Sequence, residues 1–243
     1  MTKLSVNINK IALLRNSRGR NFPDPAEFSR KCLELGAHGI TLHPRPDQRH
    51  ARYSDIFELR KVCDQFGAEL NVEGYPTDLL IDKVIEAKAD QFTLVPDEPG
   101  QITSDHGWDF VKHEEELKRV IEKVSSNGIR LSLFADYDNP DIKLAKELGA
   151  HRLELYTEPY AEHFGQKDCE QITHVYAKTA KTAMECGLEL NAGHDLSLEN
   201  LGYYIKHVPG TLEVSIGHAL IVECLDMGLE KVIKGYLAIL NES

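Results

Sequence analysis

The chain lacks any apolar run near the roughly 18 residues that a membrane span requires. Its start, MTKLSVNIN, lacks the charged, apolar and small-residue succession of an export signal. Both absences make the cytoplasm the expected location. No C-x-x-C occurs among the five cysteines, Cys32, Cys63, Cys169, Cys186 and Cys224, an odd number scattered through stretches of helical character. That spacing excludes a disulfide frame and points to free thiols in a reducing compartment. Positive charge is scarce: 28 Lys and Arg against 39 Asp and Glu leave a net charge of −11, which argues against a broad nucleic-acid-binding surface. No Pro/Gly/Ser-rich linker or low-complexity segment interrupts the 243 residues, so one domain over residues 1–243 is expected.

Several chemical motifs are missing too. There is no G-x-S-x-G, which disfavours serine-hydrolase chemistry. There is no H-E-x-x-H and no Cys/His quartet, so no metal is expected, although His and Glu from separate strands could bind zinc without a local signature. KIALLRNSRGRNFPDP, following the first strand-like run, reads as a loop and contains no G-x-G-x-x-G, against a dinucleotide fold.

What is present is alternation. Eight short β-rich runs, LSVNIN, GITLHPR, ELNVEGY, QFTLVPD, IRLSLFAD, RLELYTEP, LELNAGH and LEVSIGH, are separated by amphipathic segments such as PAEFSRKCLELG, SDIFELRKVCDQFG and HEEELKRVIEKVSSNG. A near-repeat, LELGAHGITLH at 33–43 and KELGAHRLELY at 146–156, runs helix, Gly turn, strand in one register. Eight βα units in this length predict a parallel (β/α)8 TIM barrel, with a doubly wound open sheet as the competitor. The long segments DCEQITHVYAKTAKTAMECG and VECLDMGLEKVIKGYLAIL carry apolar residues at helical spacing and are expected to serve as core or subunit contact.

A barrel works at the C-terminal ends of its strands. The residues there are Asn7, Asn9, Lys10, His43, Arg45, Glu73, Asp97, Asp136, Glu154, Glu158, His194 and His218, a titratable ring. NAGH and SIGH each place a Gly, Gly193 and Gly217, at a strand end before an expected helix, a natural anion site. The alternative is that the glycines merely turn the chain and the histidines cap it. HPRPDQRHAR crowds His43, Arg45, Arg49, His50 and Arg52 together, which is unfavourable unless an anion or carboxylates lie among them; a solvated basic loop is the alternative. Glu73, following apolar strand residues, could have its pKa raised into the proton-transfer range or pair with an arginine. Glu154, in the alternation RLELY, could face the barrel mouth in the same way. Lys10 is the one good candidate for a Schiff-base lysine.

SVNINKIALLRNSRG, GITLHPRPDQRH, NVEG, TLVPD with QITSDHGWD, LELYTEPYA, NAGHDL and SIGHAL, in this order, closely resemble the pyridoxine 5′-phosphate synthase family over essentially the whole chain. The resemblance implies a (β/α)8 barrel assembled into homo-oligomers, commonly octamers built from dimers. It implies condensation of 1-deoxy-D-xylulose 5-phosphate with 3-amino-2-oxopropyl phosphate to pyridoxine 5′-phosphate, phosphate and water, with no metal or redox cofactor. It assigns proton transfer to Glu73, His43, His194 and Glu154. Gly193, Gly217 and His218 would hold the phosphate kept on the product. Arg45, Arg49, His50 and Thr103 would hold the sugar substrate or the departing phosphate, and Arg18 would reach into a neighbouring subunit's site. Residues 97–109, DEPGQITSDHGWD, would form a water-excluding lid. Many members read V-N-I-D-H-I-A where this chain has V-N-I-N-K-I-A, so Asn9 and Lys10 replace Asp and His. LELYTEP departs more mildly, lacking a His two residues after the Glu. Two other readings stay open: a phosphosugar isomerase or lysine-dependent aldolase, and a catalytically silent phosphometabolite-binding barrel.

Overall fold

The computed structural model describes residues 1–97, 100–101 and 103–242. In chain order the elements are β1 (Lys3–Asn7), α1 (Asn9–Asn16), α2 (Pro25–Glu34), β2 (Gly39–Leu42), α3 (Tyr53–Phe66), β3 (Glu69–Gly74), α4 (Asp78–Ala87), β4 (Gln91–Leu94), α5 (Glu114–Ser125) and β5 (Arg130–Ala135). They continue with α6 (Ile142–Glu147), β6 (Arg152–Tyr156), α7 (Glu158–His163), α8 (Cys169–Glu185), β7 (Glu189–Gly193), α9 (Leu201–His207), β8 (Thr211–Ile216), α10 (His218–Met227) and α11 (Leu229–Asn241). The eight strands pair in parallel in sequence order and close, β8 against β1, into the expected (β/α)8 barrel.

The strands alternate strictly. Leu4 and Val6, Leu70 and Val72, Phe92 and Leu94, Leu131 and Leu133, and Leu153 and Leu155 point outward and are fully or almost fully buried under the helices. Their neighbours point inward and are mostly polar, with the aromatic Phe134 and Tyr156 at the mouth as exceptions. Ser5 bonds Thr41 at 2.7 Å, Thr93 donates to Asn71 at 3.0 Å, and Arg130 and Arg152 donate to Gln91 at 2.9 and 3.2 Å. A register shift at Leu190/Asn191 leaves Leu212 partly exposed and returns Glu213 to the interior phase.

Local chemistry sets the helix ends. Asp24 accepts the Ala26 N–H at 2.9 Å with Pro25 opening α2, and Thr77 accepts the Leu80 N–H at 3.2 Å to open α4. The near-repeat is structural as well: His38 Nδ1 accepts the Leu4 N–H and His151 Nδ1 the Leu131 N–H, each at 3.1 Å. The two copies therefore fasten β2 to β1 and β6 to β5 by the same side chain, half a barrel apart.

The structure corrects two expectations and adds detail to a third. KIALLRNSRGRNFPDP is not loop throughout, because α1 occupies Asn9–Asn16 with Ile11, Ala12 and Arg15 buried on one face. The last apolar segment is two helices broken at Gly228; α11 buries Val232, Ile233, Tyr236 and Leu240, whereas α10 buries only Leu220. Cys186 caps the end of α8 rather than lying within it. Among the described residues, no helix is long and apolar enough to cross a membrane.

Candidate active site

The C-terminal mouth of the barrel holds a cavity of about 320 Å3 lined by Asn7, Asn9, Lys10, His43, Arg45, His50, Glu73, Thr103, Glu154, His194, Gly217 and His218. A second cavity, about 620 Å3, adjoins it, shares His43 and Arg45, and adds Arg49, Asp97, Tyr75, Trp108 and Lys112. Of the residues singled out in the sequence, Arg18, Arg52, Asp136 and Gly193 line neither. Arg18 is exposed in a separate recess with Leu14, Arg20 and Phe22.

Gly193 has a different setting from the one its motif suggests. No helix follows it directly, since α9 starts only at Leu201; instead His194 and Asp195 take left-handed φ angles of 76° and 55°. A Cβ at Gly193 would collide with Glu154 Oε1, so this glycine makes room for the carboxyl group. Gly217 does fit the anion-site reading. It sits at the N-cap of the ten-residue α10, with His218 as the first helical residue.

Glu73 and Glu154 are buried at 7% and 3% exposure. Burial, then the negative charges of Asp97 and Glu213, raise Glu73 to about 8; burial and the charge of Glu73 hold Glu154 well above the carboxylate range. Asn7 Nδ2 donates to Glu73 at 3.4 Å, and Glu154 Oε2 is buried with no partner. The imidazoles shift the opposite way. Burial and Arg45 hold His43 well below its usual range; burial with Arg45 and Arg49 lowers His50 to about 4; and burial outweighs the opposing charge of Asp195 to lower His194 to about 4. At neutral pH the mouth therefore holds protonated carboxyls as acids and neutral imidazoles as bases, with Lys10 and Arg45 supplying the positive charge. That is the protonation pattern for repeated proton transfer on an anionic substrate.

The tautomer of His50 follows from its bonding. The Ala51 N–H donates to His50 Nδ1 at 2.9 Å, so the neutral ring carries its proton on Nε2 and presents a donor. The basic loop does have carboxylates among its cations. Arg45 pairs with Asp97, which also accepts from Ser104 at 3.0 Å; Arg49 pairs with Asp47 at 3.6 Å and reaches the Gln101 carbonyl. Burial raises Asp97 despite the offsetting charge of Arg45. Arg52 turns away from both cavities and donates to Asn16 Oδ1 at 2.7 Å.

Sequence reasoning missed what holds this loop. Arg15, at 1% exposure, makes a two-pronged pair with Asp55 at 2.7 and 2.9 Å and donates to the His50 carbonyl at 3.1 Å. Asn16 donates to the carbonyls of Gln48, Arg49 and His50 at 3.2, 3.0 and 2.8 Å. The apolar spacing of IALL, once read as helix, would have placed both at its end. Ser104, Asp195 and Ser215 also line the first cavity without having been singled out. Asn9 resolves one departure, because its Oδ1 accepts the His43 N–H at 2.9 Å. An amide does this as well as a carboxylate, so the position fixes backbone and need not carry a proton. Of residues 97–109, Glu98, Pro99 and Ile102 lie outside the described residues. Trp108 is pinned to the barrel, its N–H donating to the Phe134 carbonyl at 3.0 Å and its indole to the Leu94 carbonyl at 2.8 Å.

Comparison with known proteins adds the family. The model of the pyridoxal phosphate biosynthesis protein PdxJ matches residues 4–242. Pyridoxine 5′-phosphate synthase of Christiangramia forsetii is 52% identical over 99% of this chain and 100% of its own length; that of Bacteroides thetaiotaomicron is 49% identical over 97% and 98%. Among solved structures, a Pyrococcus furiosus tryptophan synthase alpha-subunit superposes with a TM-score of 0.65 at 14% identity, covering 98% of each chain. The 3-keto-L-gulonate-6-phosphate decarboxylase of Vibrio cholerae gives 0.66 at 11% identity over 99% of this chain and 98% of its own. These two likenesses establish the barrel alone. With a PdxJ match spanning nearly every residue and relatives at about half identity over full length, the chain belongs to the pyridoxine 5′-phosphate synthase family.

Proposed function

We propose that this chain catalyses the ring-closing condensation of 1-deoxy-D-xylulose 5-phosphate with 3-amino-2-oxopropyl phosphate to pyridoxine 5′-phosphate, releasing phosphate and water. The observation that carries this reading is the convergence of two protonated carboxyls, Glu73 and Glu154, with neutral His43 and His194 in one cavity beside the N-terminus of α10. A site that merely binds phosphate gains nothing from four groups shifted in this way. Glu73 acts as general acid and then base during imine formation and dehydration, with His43 and His194 taking and returning protons. The phosphate kept on the product sits at Gly217 and His218, with Lys10, in the first turn of α1, supplying a nearby cation. Arg45, Arg49, His50 and Thr103 hold the sugar substrate or the phosphate that leaves, toward the second cavity.

Two further parts of the reading concern surroundings. The enzyme works in the cytoplasm, where its five cysteines stay reduced. It assembles as a homo-oligomer, an octamer built from dimers, with Arg18 reaching a neighbour's site. The exposed Leu13 and Leu14 of α1 and Val222 and Leu225 of α10, which pack side by side, supply an apolar face for such contact.

The test is to mix the protein with both substrates and EDTA and follow pyridoxine 5′-phosphate by absorbance, with Glu73→Gln alongside. Product from the wild type and little from the variant supports the reading; no product from the wild type overturns it. Lys10→Ala is expected to raise KM about tenfold, with Lys10→His intermediate; unchanged kinetics in both would remove Lys10 from the site.

A further inference from the structure

Thr157 follows β6, three residues after Glu154, and is completely buried. It occupies the N-cap of α7, where a threonine ordinarily turns its hydroxyl onto its own helix, yet that side-chain cap is absent. The hydroxyl crosses instead to the end of β7, donating between the Gly193 carbonyl at 2.6 Å and the His194 carbonyl, while the Thr157 N–H also donates to the Gly193 carbonyl at 3.0 Å. These two carbonyls flank His194, whose backbone is left-handed like that of Asp195 after it, a conformation uncommon for residues other than glycine. The imidazole itself lies edge-on to Phe134 and Tyr156, each with ring centroids 5.4 Å away. Aromatic packing thus fixes the ring, and Thr157 fixes the backbone that carries it.

We propose that Thr157 is a positioning residue for the synthase reaction: its hydroxyl clamps the Gly193–His194 turn in the left-handed form that aims His194 into the cavity. The hydroxyl forgoes its helix cap to do so, and the clamp ties β6, which carries Glu154, to β7, which carries the glycine that admits the Glu154 carboxyl. The two proton-carrying side chains are held in one relative position by one threonine. The kinetic part rests on the synthase reading; the structural part does not.

The experiment compares Thr157→Val, which keeps the shape and removes the donor, with Thr157→Ser, which keeps the donor. Valine is expected to lower kcat about 10–100-fold with KM within about threefold, and serine to return kcat to within about threefold of wild type. The NMR signal of the His194 ring should move in the valine variant, and its titration midpoint should rise from about 4 toward the usual histidine range as the ring escapes its packing. A folded valine variant with wild-type kcat and an unmoved His194 signal would overturn the clamp, as would serine and valine impaired alike. If valine alone does not fold, Thr157→Val is made together with Asp195→Gly, which relieves one left-handed residue, and is measured against Asp195→Gly alone, because Asp195 lines the cavity and its charge acts on His194. If the wild type makes no product, the His194 signal decides the clamp by itself, so failure of the synthase reading and failure of the clamp give different results.

Discussion

The inside of the barrel and the sleeve between strands and helices are built by the same eight strands with opposite chemistry. Outward residues such as Leu70, Phe92, Leu131 and Leu153 pack dry against helices. Inward ones such as Asn71, Gln91, Thr93 and Arg152 are also buried and join through hydrogen bonds, Arg152 reaching Glu189 at 2.8 Å and Asn191 at 3.3 Å. Barrels of this class are commonly filled by branched apolar residues. The difference teaches that burial here does two jobs: the sleeve supplies stability through apolar area, whereas the interior supplies low dielectric around ionisable groups, and the site at its mouth depends on the second.

The largest effect that tests this division is on turnover. Glu73→Gln should lower kcat by about 10²–10⁴. The same change should stabilise the fold on the alkaline side. The folded-state pKa of Glu73, about 8, lies above its ordinary 4.5, so the folded chain keeps a proton that the unfolded chain loses, and the associated stability is present below pH 4.5 and lost as pH rises through 8. The Tm of the variant should therefore gain on wild type between pH 5 and 8.5; equal Tm curves would mean that Glu73 is not held protonated.

Breaking the interior network comes next. Arg152→Met takes from the buried Glu213 its paired cation, 3.9 Å away, with only the weaker pull of Arg130 and Lys3 left, and should cost about 3–5 kcal/mol in chemical denaturation at pH 7.5. Leu133→Ala in the sleeve should cost about 2–5 kcal/mol while leaving kcat of the folded fraction unchanged. A fall in kcat there would show that sleeve and interior are not separable. The acid side is subtler. His50 and His194, lowered to about 4, stay neutral when folded but take protons when unfolded, so stability falls as pH drops from 6.5 toward 4, and His50→Asn should flatten that limb. The smallest effect belongs to Ser132→Ala, because the Ser132 hydroxyl is buried with no partner; a change under about 1 kcal/mol is expected, and a larger loss would mean that the hydroxyl is bonded in solution.

Much of this was legible in the chain. The barrel followed from eight alternating units, and the period of two in RLELY, which turned Glu154 inward, holds for ELNVEG and QFTL as well. Glu73, His43, His194 and Glu154 were identifiable because strand ends converge in this fold. Helix α1 was not, because Asn-Lys at its start and Ser-Arg-Gly beyond it resemble loop composition, and what stabilises it is the buried Arg15–Asp55 pair from a distant segment. Gly193 was read as an anion site because a Gly at a strand end has that local meaning, whereas its constraint comes from Glu154 on the neighbouring strand.

The sequence by itself determined the order of strands and helices, the alternation that divides polar interior from apolar sleeve, and the residue types at the barrel mouth, since these follow from local periodicity. Only the tertiary structure decided which carboxyls stay protonated and that Thr157 serves β7 rather than its own helix. Those properties arise from desolvation and from contacts between residues tens of positions apart, and no local pattern encodes them.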